Sequence, residues 1–160
     1  MRPRALLDLI SHCRSCAVNL GHTKIAQEDL TKGLSLYSTD LVREIGLEIR
    51  DVLPEAEDAL YAFIDVSSRI DEGQLRGLLE PLNLNREQVT RLTEILLWYG
   101  FLGLVGEDGE VQYIYSLNYD MRLLTGRIRR ATERATERAV YAINPAFWPG
   151  LGIRQTGKRN

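Results

Sequence analysis

Leu6, Leu9, Ile10, Cys13, Cys16, Ala17 and Leu20 follow one another at spacings of 3, 1, 3, 3, 1 and 3. That rhythm puts them on one face of an α-helix. Pro3 suits its first turn and Gly21 its end. "HTKIAQEDL" opens a second helix, with Glu28 and Asp29 near its positive end. Leu30, Leu34, Tyr37 and Leu41 carry its apolar face, and Val42, Ile45, Ile49 and Val52 extend it to Pro54. The "YSTD" at 37–40 predicts a break, with Ser38 or Thr39 capping a further helix.

Beyond Pro54, Ala56, Ala59, Leu60, Phe63 and Ile64 predict a short amphipathic helix. "SSRIDEGQLRGLLEPL" predicts another, with Leu75, Leu78 and Leu79 inward and Pro81 at its end. Asn85 and Gln88 have capping-box spacing, and Leu84 can staple onto Val89 across the cap. The next helix buries Val89, Leu92, Ile95, Leu96 and Tyr99 before Gly100. "FLGLVGE" and "EVQYIYS" then read as strands joined by an Asp108-Gly109 two-residue turn. Three helices and a hairpin in this order predict a winged helix. From Asn118 the pattern is helical again, through "RIRRATERATERA". The apolar tail "VYAINPAFWPGLGI" should dock as a short strand and turn, because bare Phe147 and Trp148 would promote association. The expected fold class is mainly α with a small β-hairpin. A helical lid-like segment spans 1–53, a winged helix 54–117, and a C-terminal basic helix with aromatic tail 118–160.

Charge changes this picture. Residues 1–53 carry 7 basic and 7 acidic side chains, residues 54–120 carry 4 and 13, and residues 121–160 carry 9 and 2. The apolar runs are far below the ~20 residues that span a bilayer, and no signal peptide is read, so no membrane contact is expected. The 2 cysteines form no disulfide framework, which makes a reducing cytoplasm the default location.

"HCRSC" (12–16), with His12 and His22, offers four zinc-type ligands. Both cysteines lie on the apolar face, however, and no second cysteine pair exists, so core packing is expected and no metal. No phosphate loop, His-Glu-x-x-His or Gly-x-Ser-x-Gly motif occurs, and no enzyme is expected in this chain. On the third helix of the winged segment, Arg86, Gln88, Thr90 and Arg91 are candidates for contact with DNA or a partner. Against DNA stands the excess of carboxylates, including Glu107, Asp108 and Glu110 at the turn of the wing. Non-specific affinity for DNA comes almost wholly from cationic side chains. Arg127, Arg130, Arg134 and Arg138 form one basic stripe. It reads as a solvated helix paired to Glu133 and Glu137, as a partner for the acidic winged segment, or as a nucleic-acid surface.

"RPRALLDLISHCRSCAVNLGHTKIAQEDLTKGLSLYS" resembles the lid segment of AAA+ and STAND-type P-loop ATPases. The matching pieces are an opening Arg (Arg2 or Arg4), "GHTKI" at 21–25 and "AQEDL" at 26–30. A winged helix after such a lid resembles archaeal origin-binding initiators and several bacterial ATPases, some linked to phage defence. The resemblance covers 1–117 and implies that Arg2 or Arg4 senses the γ-phosphate of ATP. The chain departs from the pattern in lacking Walker motifs and a core sheet, and in carrying Ala26 where a capping Ser or Thr is usual. It thus looks like the non-catalytic C-terminal piece of a longer ATPase. No cofactor is expected here, with ATP and magnesium implied only for a longer parent. A protein partner or self-association is expected. The alternative is a stand-alone winged-helix DNA-binding regulator.

Overall fold

A computed structural model describes residues 3–133 and 139–155. The helical period of the first segment produces α1 (Pro3–Asn19), closed at Gly21 in the left-handed region (φ 73°), where its N–H bonds to the Val18 carbonyl. Helix α2 (Gln27–Val52) returns beside it. The break expected at 37–40 does not occur, because the polar side chains there are engaged otherwise. The Thr39 hydroxyl donates to the Ser35 carbonyl one turn back, and the Ser38 hydroxyl accepts the distant Gly150 N–H. Neither is left to cap a new helix.

The two helices touch most closely where a Cβ on Gly33 would come within 2.8 Å of the Cys13 backbone nitrogen. Cys13, Cys16 and Ala17 are buried there. Leu6, Ile10, Leu20, Leu30 and Leu34 belong to the same periodic faces yet stay 39% to 49% exposed. Among the described residues nothing covers this apolar side of the hairpin.

After Pro54 the expected α-helix is replaced by two 3₁₀ turns, Pro54–Ala56 and Ala59–Phe63. The segment is held at Leu53 by α2 and at Asp65 by the Leu151 carbonyl. A 3₁₀ turn covers such a fixed span with fewer residues than an α-helix. Ala56, Ala59, Leu60 and Phe63 are buried as the pattern requires, but Ile64 is exposed. Ser67 to Asp71 also differ from expectation. Arg69–Asp71 form strand β1, and α3 (Glu72–Leu79) starts only after Asp71, which accepts the Gln74 N–H at 2.8 Å while Gln74 bonds back. Helix α4 (Arg86–Trp98) has the predicted box, Asn85 and Gln88 bonding reciprocally at 2.9 Å.

Strands β2 (Leu102–Val105) and β3 (Val111–Gln112) form the predicted hairpin. The loop holds three residues, not two. Gly106 pairs with the Glu110 carbonyl across Glu107, Asp108 and Gly109, and Gly109 takes φ 79°. A three-residue loop with a left-handed glycine is the next most common hairpin solution. Helix α5 (Met121–Glu133) sinks Leu124 into the core.

The tail docks as strand β4 (Val140–Ile143) followed by a 3₁₀ turn and the single-turn helix α6 (Trp148–Leu151). Strand β4 lies in the middle of an antiparallel sheet of order β1-β4-β2-β3. The fold is thus mainly α with a small β part. One cluster of buried side chains runs from Val42 to Ile153 and joins α2, the sheet, α4 and α6. No helix among the described residues is long and apolar enough to cross a membrane.

Candidate functional site

The α4 candidates lie near one another but do different work. Arg86 and Arg91 are exposed. The Gln88 carbonyl oxygen accepts the Asn85 N–H, so it is committed to the cap. Thr90 donates its hydroxyl to the Arg86 carbonyl at 3.0 Å. Beside Thr90, Thr93 and Glu94 a cavity of about 280 Å³ opens, whose far wall is Thr125, Ile128 and Arg129 of α5. Of the α4 candidates only Thr90 lines this cleft; Arg86, Gln88 and Arg91 lie outside it. Buried Tyr141 lies in the same cleft, and burial pushes its phenol up to about 12.

Carboxylates mark the tip of the hairpin. Glu107, Asp108 and Glu110 are exposed there, and Asp108 accepts the Glu110 N–H. Arg69 donates to the Gly109 carbonyl at 3.1 Å, which fixes the loop to β1. In the basic stripe, Arg127 donates to the side-chain oxygen of Gln112 on β3, and Arg130 is exposed. Arg134 and Arg138 lie outside the described residues, as do Glu137 and the side chain of Glu133. Arg2 is also outside them. Arg4 lies in the first turn of α1, with its side chain outside the described set.

Cys13 and Cys16 are both free and buried, and desolvation pushes the Cys13 thiol up. A raised thiol pKa disfavours the thiolate that metal binding or nucleophilic attack requires. The histidines point elsewhere. His12 Nε2 lies 3.2 Å from an oxygen of Asp40, and His22 Nδ1 2.8 Å from Asp29. Among the described residues no group of three His, Cys, Asp or Glu side chains could hold a metal ion.

Asp29 acts as a clip. Its carboxylate accepts the Ala26 N–H at 2.8 Å as well as facing His22, and it is fully covered. This half of a capping box works although Ala26 has no side-chain acceptor to return the bond. The Ala26 N–H, with His22 assisting, holds the Asp29 carboxyl below the usual carboxylate range against the opposing effect of burial. A depressed folded-state pKa stabilises above the unfolded value of about 3.9 and loses that contribution as pH falls through the folded value. We expect Asp29→Asn to lower the melting temperature at neutral pH and to narrow its gap from the parent protein in strong acid. Melts from pH 7 down to pH 2 check this, and a gap that widens in acid refutes it.

One set of residues was not singled out by sequence reasoning. Tyr37, Trp98, Tyr115 and Tyr119 come from separate parts of the chain and line a common cavity between the α1–α2 hairpin and the end of α4. The available signal was Trp98, a large aromatic residue that falls outside the Leu92, Ile95 and Leu96 face of its helix.

The arrangement defines a mainly helical module with a small antiparallel sheet. Residues 1–46 match the model of a family described as the FunZ-associated C-terminal helical domain. The match spans α1, the connection and most of α2, and a C-terminal helical domain of a larger protein fits this stretch. No curated protein and no solved structure matches the chain.

Proposed function

We propose that the chain is the non-catalytic C-terminal region of a larger P-loop ATPase, relaying nucleotide state to protein contacts. The supporting observation is the apolar side of the α1–α2 hairpin, left exposed at Leu6, Ile10, Leu30 and Leu34. An exposed apolar patch of this kind marks a contact surface. It lies within the stretch that resembles a C-terminal helical domain. In this reading the hairpin is the lid, and ATP with magnesium is bound by the preceding core, with Arg4 or Arg2 reaching its γ-phosphate. The 3₁₀ turns after Pro54, which stand where the first helix is expected, with α3, α4, β2 and β3 are then a winged helix used for protein contact. The commitment of Gln88 to a cap, the carboxylates at the hairpin tip and the placement of α5 beside α4 support that use over DNA reading.

The test begins with the complete reading frame. We expect it to encode a phosphate loop upstream, and Ile10→Glu with Leu34→Glu to reduce nucleotide-stimulated activity of the whole protein. The isolated chain should neither bind nor hydrolyse ATP. A reading frame without a phosphate loop rejects the proposal. Anisotropy titrations against duplex DNA at two salt concentrations should be flat. Salt-sensitive binding lost on Arg86→Ala and Arg91→Ala would favour the stand-alone regulator instead.

A further inference from the structure

The aromatic cavity beside the hairpin has a volume of about 340 Å³. Trp98, Tyr115 and Tyr119 stand at its mouth, 45%, 44% and 47% exposed. Trp98 and Tyr119 meet edge to face with centroids 5.9 Å apart, and Tyr115 is stacked on Tyr113 at 5.2 Å. Asn118 and Tyr119 are consecutive left-handed residues, at φ 50° and 60°, a costly backbone that sets the Tyr119 ring in this wall. The floor is apolar, formed by buried Ile45, Ile114 and Phe147.

Two carboxylates complete the lining, Asp8 from α1 and Glu44 from α2. Both act on the Tyr37 phenol, which is raised first by burial and then by these two charges. Neither forms an ion pair among the described residues. The neighbouring Arg43 is turned to Asp40.

We propose that this cavity binds the guanidinium of an arginine presented by a basic segment of a partner protein. Aromatic faces attract cations, and the planar guanidinium can both stack on a ring and donate to carboxylates. The apolar floor suits the methylene stem that leads to the charge. An acidic segment would meet Asp8 and Glu44 as like charges. A neutral apolar one would strip water from both carboxylates without replacing it. The inference does not depend on the ATPase reading, since it concerns a cavity within this chain.

Calorimetric titration of the whole chain with a short arginine-containing peptide tests it, alongside the same peptide carrying citrulline, which keeps the shape and removes the charge. We expect saturable one-site binding of the arginine peptide, with the citrulline peptide weaker by at least about tenfold. Asp8→Asn with Glu44→Gln should weaken binding by a similar factor, and so should Trp98→Ala. Glu55→Gln with Glu80→Gln, exposed carboxylates that do not line the cavity, should leave it unchanged. Melting curves establish that each variant folds, and the carboxylate pair is near-isosteric should the Trp98 variant fail. Equal affinity for both peptides, no binding, or unchanged binding by the folded carboxylate variant overturns the proposal.

Discussion

Phe101→Ala is expected to lower the free energy of unfolding by about 3–5 kcal/mol. A domain of this size is stable by only about 5–15 kcal/mol, so one substitution removes a large share. Phe101 is fully buried, and its ring meets Phe63 and Phe147 edge to face, each with centroids 4.9 Å apart. Those partners come from the 3₁₀ segment after α2 and from the tail, so the ring joins three stretches distant in sequence. The backbone adds to the fixation. Gly100 in the left-handed region turns the chain out of α4, and the Phe101 carbonyl accepts the Asn144 N–H at 2.9 Å. With the main chain pinned, the cavity cannot close by collapse, which favours the upper part of the range. Urea unfolding measures the effect, with an unchanged slope showing that the folded state is intact. A loss below about 1 kcal/mol would mean the aromatic cluster is loosely packed.

Local signals carried much of the fold. The period of α1, the Asn85–Gln88 box and the hairpin after Gly100 each depend on residues close in sequence. The same chemistry at Asp71 and Gln74 was overlooked because Ile70 completes an apolar pattern on either reading, helix or strand. Long-range facts were invisible. Ser38 looks like an N-cap until its hydroxyl is seen to accept from Gly150, and the closeness is such that a Cβ there would lie 2.9 Å from the Ser38 carbonyl carbon. Periodicity also says which side chains share a face, not whether anything covers it. Leu30 and Leu34 sit in register with Val42 and Ile45, yet only the latter pair is buried. At the candidate site, the Gln88 side-chain oxygen serves the helix cap, which holds the side chain against the start of α4 and leaves its NH2 as the group free to meet a partner. The aromatic cavity follows no spacing rule, because its walls meet only after the chain has folded.

The position of β4 leads to the second large effect. Ala142→Pro should abolish cooperative unfolding or cost more than about 3 kcal/mol, because proline in a central strand removes a ladder donor and crowds its neighbours. Ala142 is 5% exposed and stands opposite Arg69 on one side and Gly103 on the other, so no edge is available to absorb the ring. The restriction extends to Tyr141, the residue before it, which is itself buried. Damage should also travel beyond the sheet. Strand β4 leads into α6, whose Gly150 N–H bonds to Ser38 of α2, and Trp148 donates to the Ile143 carbonyl at 2.9 Å. Releasing the strand loosens the attachment of the tail to the long helix. Gln112→Pro provides the contrast, since β3 is at the edge of the sheet and, among the described residues, pairs with β2 alone. Its cost should be smaller, with the tryptophan signal of Trp148 preserved and hydrogen-exchange protection lost only near the hairpin. Equal destabilisation by the two prolines would mean that the tail strand does not organise the sheet.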